Sequence, residues 1–147
     1  MRRLMFVCTL ATLSLGAMGG VAVAAQGDFA AGGGNDGVGQ FNFSAHQTEL
    51  FNAQGHMSYR SATQVVRAEV SCMQVQGNRA FILGEIDLSK SSGTPVGGTR
   101  LAFEALDEPG GDGLSVFFAG PALGCQLPLF SGSPIARGSI VVHDNLP

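Results

Sequence analysis

Three histidines lie beyond the N-terminal segment, His46, His56 and His143, and three carboxylates crowd one Gly-rich turn, Asp107, Glu108 and Asp112. Imidazoles from three separate strands would make a zinc or copper site if those strands were neighbours. Their wide spacing in sequence favours the plainer reading of three exposed strand-end side chains. Asp107 and Asp112 stand five apart with two glycines between them, a wrap that suits calcium, which takes oxygen ligands. The turn lacks a D-x-D-x-D-G pattern, and acidic turns are routine in exported proteins. No cofactor is therefore expected, and calcium is the ion this turn would take. Catalytic patterns are weaker still. Ser131 and Ser133 lack the G-x-S-x-G elbow of a nucleophile. Glu69, Glu85 and Glu104 fall in different strands, on the expected solvent face, and no tryptophan is present to stack a sugar beside a carboxylate pair. A single tyrosine also argues against a carbohydrate-binding module.

The elements that position these groups read as strands, because apolar residues recur with a period of two. Val38, Phe41 and Phe43 mark a first strand, and Met57 and Tyr59 alternate with His56, Ser58 and Arg60 in a second. Val66, Ala68, Val70 and Cys72 form one face of a third, with Arg67, Glu69 and Ser71 opposite. Gly77-Asn78 is a two-residue hairpin loop of the type II′ kind, leading into Ala80–Ile86. Ser89–Gly98 reads as a loop. Leu101, Phe103 and Ala105 mark a fifth strand, Asp107–Gly113 a turn, and Leu114–Phe118 a sixth strand. Cys125–Leu129 is a short seventh, confined to an edge by Pro121 and Pro128, and Ser139–His143 is the last. The best helical candidate, His46–Ala53, is only a turn or two long. About 7–8 short strands predict an all-β domain, a single antiparallel β-sandwich or small β-barrel, and periodicity does not choose between them. The phenylalanines fall within the apolar strand patterns and read as core.

The chain has 147 residues, enough for one domain with a core. Met1-Arg2-Arg3, the apolar run Leu4–Leu15 and the small residues Ala22-Val23-Ala24 have the layout of a signal peptide over residues 1–25. Cys8 lies inside the apolar run and follows Val7, which rules out a lipoprotein anchor. Residues 26–36, rich in Gly, read as a flexible leader, and 37–147 as the β domain. Without Arg2 and Arg3 the chain keeps six Lys and Arg against eleven Asp and Glu, which excludes a nucleic-acid partner held by phosphate neutralisation. No later apolar stretch approaches the length of a membrane span. With Cys8 gone, Cys72 and Cys125 remain, and two cysteines in an exported chain predict one disulfide. Closing a loop of 53 residues contributes about 4 kcal/mol on the chain-entropy model.

Four segments carry a resemblance. Gly55-His56-Met57-Ser58-Tyr59 is similar to the "GHFNY" segment of secreted actinobacterial proteins of the post-COAP-1-like domain family. Val70 to Ala80 resembles that family's central "VTCLxVxGNxA" signature, Asp107-Glu108-Pro109-Gly110 with Asp112 its "DNGEPGxxD" turn, and Gly138 to Asp144 its closing "GNIVVHD". The match runs in order over about residues 37–144, although the acidic turn lacks the Asn-Gly pair before Glu108. The resemblance implies an exported β-rich module and no particular chemistry.

The expected function is that of a secreted, extracellular, non-catalytic structural or binding module, whose partner is an extracellular protein or a small molecule. One alternative is a β-barrel that carries a small ligand in its interior, and a second is a secreted hydrolase. A packed interior would argue against the carrier.

Overall fold

The computed structural model describes residues 27–49, 52–93, 98–129 and 132–145, so the signal-peptide reading of 1–25 lies outside the described residues. Among the described residues nine strands, β1 (Asp28–Asn35), β2 (Gln40–Glu49), β3 (Asn52–Arg60), β4 (Val65–Gln76), β5 (Arg79–Ile86), β6 (Arg100–Leu106), β7 (Gly113–Ala119), β8 (Ser133–Pro134) and β9 (Arg137–His143), form one sheet. Its order is β8-β7-β6-β5-β4-β3-β2-β1-β9, and every pairing is antiparallel. The sheet is a meander that curls into a half-barrel, with the last strand returning to the first. Among the described residues no helix is long and apolar enough to cross a membrane.

The concave side is the core. Phe41, Phe43, Met57, Tyr59, Met73, Ile82, Leu101, Phe103 and Ile140 all point into it and are buried. Phe103 meets the rings of Phe41 and Phe43 edge-on at 6.5 and 5.6 Å, a favoured aromatic geometry. The expected alternation of β4 holds for Val66, Ala68 and Val70 but not for Cys72. A β-bulge between Val70 and Cys72 inserts Ser71, so the face reverses: Met73 enters the core and Cys72 turns to the convex side. The Gly77-Asn78 hairpin forms as expected, with Gly77 at φ 60° in its first position.

On the convex side a strap, residues 120–129, crosses the outer surface. Cys125 bridges to Cys72 with Cα atoms 5.8 Å apart. Leu123 and Cys125 pack on Cys72, Phe81, Leu83, Ala102 and Phe117 in a second, smaller core. This segment is not the expected seventh strand; Pro121 and Pro128 remove amides that a ladder would need. Because of the strap, β5 and β6 are buried on both faces, and Glu104, expected in solvent, is 5% exposed beside Phe81 and Ser115. Arg100 donates to the Leu123 carbonyl and pairs with Glu85 at 2.7 Å, tying the strap to the sheet.

Two further readings are corrected. Residues 28–35 are not a flexible leader but β1, paired on both sides. Their glycines mark close packing: a Cβ on Gly32 would lie 2.8 Å from the Phe43 ring, and one on Gly34 would strike the Arg137 carbonyl. Nor is His46–Ala53 helical, since it spans the end of β2 and the start of β3. Ala45, Gln47 and Ala53 face inward there on a period of two.

The curl is closed without a strand ladder. β9 pairs with β1 along one edge, and the amides on its other edge meet carboxylates of the β6–β7 turn. Ile140 N donates to Asp112 Oδ2 at 2.7 Å and Val142 N to Asp107 Oδ2 at 3.0 Å. Asp144 Oδ2 accepts from Gly77 N at 2.7 Å, which ties the end of β9 to the β4–β5 turn. Exposed strand edges are hazards, and here two side chains stand in for the missing neighbour.

Candidate functional site

Among the described residues the strap lies over Cys72 and over β5, β6 and β7, and leaves clear the convex face of β3 and of β4 up to Glu69. There His56 stands opposite Glu69 and Ser58 opposite Arg67 in the register. Directly opposed residues on one face of an antiparallel pair have Cβ atoms about 4.5–5.5 Å apart. The chain leaving β5 continues beside β4: Asp87 N donates to Arg67 O at 2.8 Å, and Ser92 exchanges backbone bonds with Val65. It then makes a 3-10 turn at Leu88–Lys90, capped by Asp87, whose carboxylate accepts from Ser89 N at 3.0 Å. Strand and turn together enclose a hollow of about 370 Å³, lined by His56, Ser58, Arg67, Glu69, Asp87 and Lys90.

Its electrostatics divide into a closed pair and an open pair. Lys90 Nζ lies 2.8 Å from Asp87 Oδ2. Hydrogen bonds from Lys90 and Ser89 pull the Asp87 carboxyl down to about 2, and the same contact raises the Lys90 ammonium above its ordinary value. Arg67 and Glu69, two apart on one face of β4, form no ion pair with any described residue. Glu69 adds to the upward shift of Lys90 and Arg67 opposes it, so the hollow presents a cation and an anion that sit outside any close ion pair, with an imidazole and a hydroxyl across from them.

The other sequence-derived candidates lie elsewhere. His46 and His143 flank Phe29 on the neighbouring strands, with ring centroids 4.7 and 6.2 Å from it, so a phenyl ring separates the two imidazoles. His56 sits beside Glu69 in the hollow. Asp107 and Asp112 place carboxylate oxygens on the amides of β9, and Asp112 Oδ1 accepts from Glu108 N at 3.3 Å. Among the described residues no three of His, Cys, Asp and Glu are grouped so as to hold a metal ion. Of the two serines considered as nucleophiles, Ser133 lies in β8 and Ser131 is outside the described residues. Asp87 and Lys90 escape the sequence reading because Asp87 falls between the strand ending at Ile86 and the loop Ser89–Gly98, and Lys90 falls inside that loop. An Asp two residues before a Ser at the end of an apolar strand is the capping signal that marks the turn.

Compared with known protein families, with curated proteins and with solved structures, the chain matches none.

Proposed function

We propose that this chain is an exported, non-catalytic β-module that recognises its ligand on the convex face, at the hollow over β3 and β4. The observation that carries this reading is the filled concave side. Phe43, Met57, Met73, Ile82, Leu101 and Phe103 are each at most 2% exposed and occupy the space a carrier would keep for cargo. Recognition then falls to the outside, where one half of the sheet is strapped and the other offers charged and hydrogen-bonding groups. The Cys72–Cys125 bridge suits a non-reducing compartment, with residues 1–25 as the signal that delivers the chain there. The ordered resemblance over 37–144 agrees with such a module. The alternative of a secreted hydrolase would require His56, Ser58 and Glu69, which line the hollow, to act as a nucleophile–base set.

The test is recovery of the protein from culture medium, followed by intact-mass measurement and solvent extraction. The expected product lacks residues 1–24 or 1–25 and releases no apolar molecule. A chain retaining Arg2 in the membrane fraction would overturn the export reading. An apolar compound released in one-to-one ratio would replace the module by a carrier.

A further inference from the structure

We infer that the hollow takes a small zwitterion whose ammonium and carboxylate are about two extended residues apart, the class of an unblocked dipeptide. This rests on the reading of the hollow as the binding site and specifies its ligand.

The first argument is charge. The lining carries Arg67 and Lys90 against Glu69 and Asp87, so its formal charges cancel. Asp87 and Lys90 pair at 2.8 Å, and Arg67 and Glu69, although they feel the Lys90 charge, have no ion pair of their own to give up when a ligand enters. A simple anion would satisfy Arg67 and face Glu69 with like charge. A simple cation would do the reverse. A zwitterion leaves no charge unmatched, and like-charge juxtaposition rejects the alternatives.

The second argument is length. Arg67 and Glu69 are two residues apart on one strand face, about 6.5 Å along the strand. Two residues of extended peptide span about the same distance, at most roughly 7 Å. The carboxylate would lie against the Arg67 guanidinium, whose planar fork donates to both oxygens. The ammonium would lie at Glu69, and the central amide between His56 and Ser58 on β3. The third argument is size: about 370 Å³ is near the lower end of small-molecule pockets, ample for a dipeptide and far more than a bare ion requires.

The experiment uses the mature, disulfide-intact protein labelled for amide NMR at neutral pH and low salt. It is titrated with glycylglycine, N-acetylglycylglycine, glycylglycinamide and inorganic phosphate. Glycylglycine should shift the amides of His56, Arg67 and Glu69 saturably, and blocking either end should weaken binding at least about tenfold, the cost of one charge-assisted contact. Arg67→Gln should bind glycylglycine no better than the wild type binds the amide, and Glu69→Gln no better than it binds the acetylated form. Both positions are exposed, and unchanged spectra elsewhere will show that the variants fold. If phosphate or the acetylated form binds as tightly, the hollow is an anion site and the zwitterion is wrong, while the module reading stands. If none of the four probes shifts these amides, the zwitterion is equally overturned. If instead the shifts fall on core residues such as Phe43 and Met73, the convex-face reading itself fails.

Discussion

The two halves of the sheet share one core and differ in what lies on their backs. Over β5, β6 and β7 the strap and its disulfide bury Phe81, Leu83 and Ala102 on the convex side. Over β2 and β3 the convex side is polar, with Gln40, Asn42, His46, Gln54 and His56 exposed and Ser44 and Ser58 partly exposed. The first half therefore reads as continuous apolar sequence, Ala80-Phe81-Ile82-Leu83 and Leu101-Ala102-Phe103, as expected of strands covered on both faces. The second alternates. The covered half anchors the fold, whereas the bare half is free to change its outward residues without disturbing the core.

The contrast breaks most directly at Phe81. Truncation to Ala should cost about 3–5 kcal/mol in urea melts, as for a phenylalanine inside a core, although it lies on the back of the sheet. A loss below about 1 kcal/mol would mean that the strap is not packed. Next in size is the clamp at the seam. Asp107→Ala and Asp112→Ala should each cost about 1–2 kcal/mol, with one bond to a charged acceptor lost at Asp107 and two at Asp112, and should speed hydrogen exchange at Val142 and Ile140 respectively. Protection at Phe81 should follow only the global loss.

Tyr59 probes the seal of the bare half from inside. Its hydroxyl is raised to about 12, first by burial, then by the nearby Asp36 charge, and then by its 3.1 Å hydrogen bond to Asp36 Oδ2. The unfolded chain gives up this proton near 10, so the stabilisation is fully present below that pH and is lost as pH rises toward 12. As the chain's single tyrosine, with no tryptophan present, it can be followed by tyrosinate absorbance. A midpoint near 10 in the folded protein would show that this end is open to water. The smallest effect belongs to Glu69→Ala on the bare back, within about 0.5 kcal/mol. If it matched Phe81→Ala on the covered back, expected at about 3–5 kcal/mol, the two backs would not differ.

Much of this architecture was legible where alternation and turn chemistry are local. Val66, Ala68 and Val70 gave the inner face of β4, and Gly77-Asn78 the hairpin. The pairing of Cys72 with Cys125 followed from count and compartment, but its side did not, because the bulge at Ser71 reverses the face without a strong composition signal. Gly32 and Gly34 look like linker residues until β2 and β9 press on them. The acidic turn was conspicuous, yet its work depends on β9, which only closure of the sheet brings to it. The hollow was half visible: Arg67 and Glu69 stood on the polar face, and the partners that enclose them came from a segment without period.

The return of β9 to β1 also fixes an order of events. Asn145 N donates to Asp28 Oδ1 across 117 residues of chain, so the start of the domain is completed by its end. During synthesis β1 can pair with β2 early, but its other edge stays open until β9 emerges. Every truncated nascent chain carries that open edge. Such end-to-end pairing raises contact order and slows the closing step. In an oxidising compartment the 72–125 bridge could form before the last strand docks, since both cysteines precede β9. Any chain that closes the bridge before β9 docks still carries one unpaired edge of β1, the kind of edge through which chains associate.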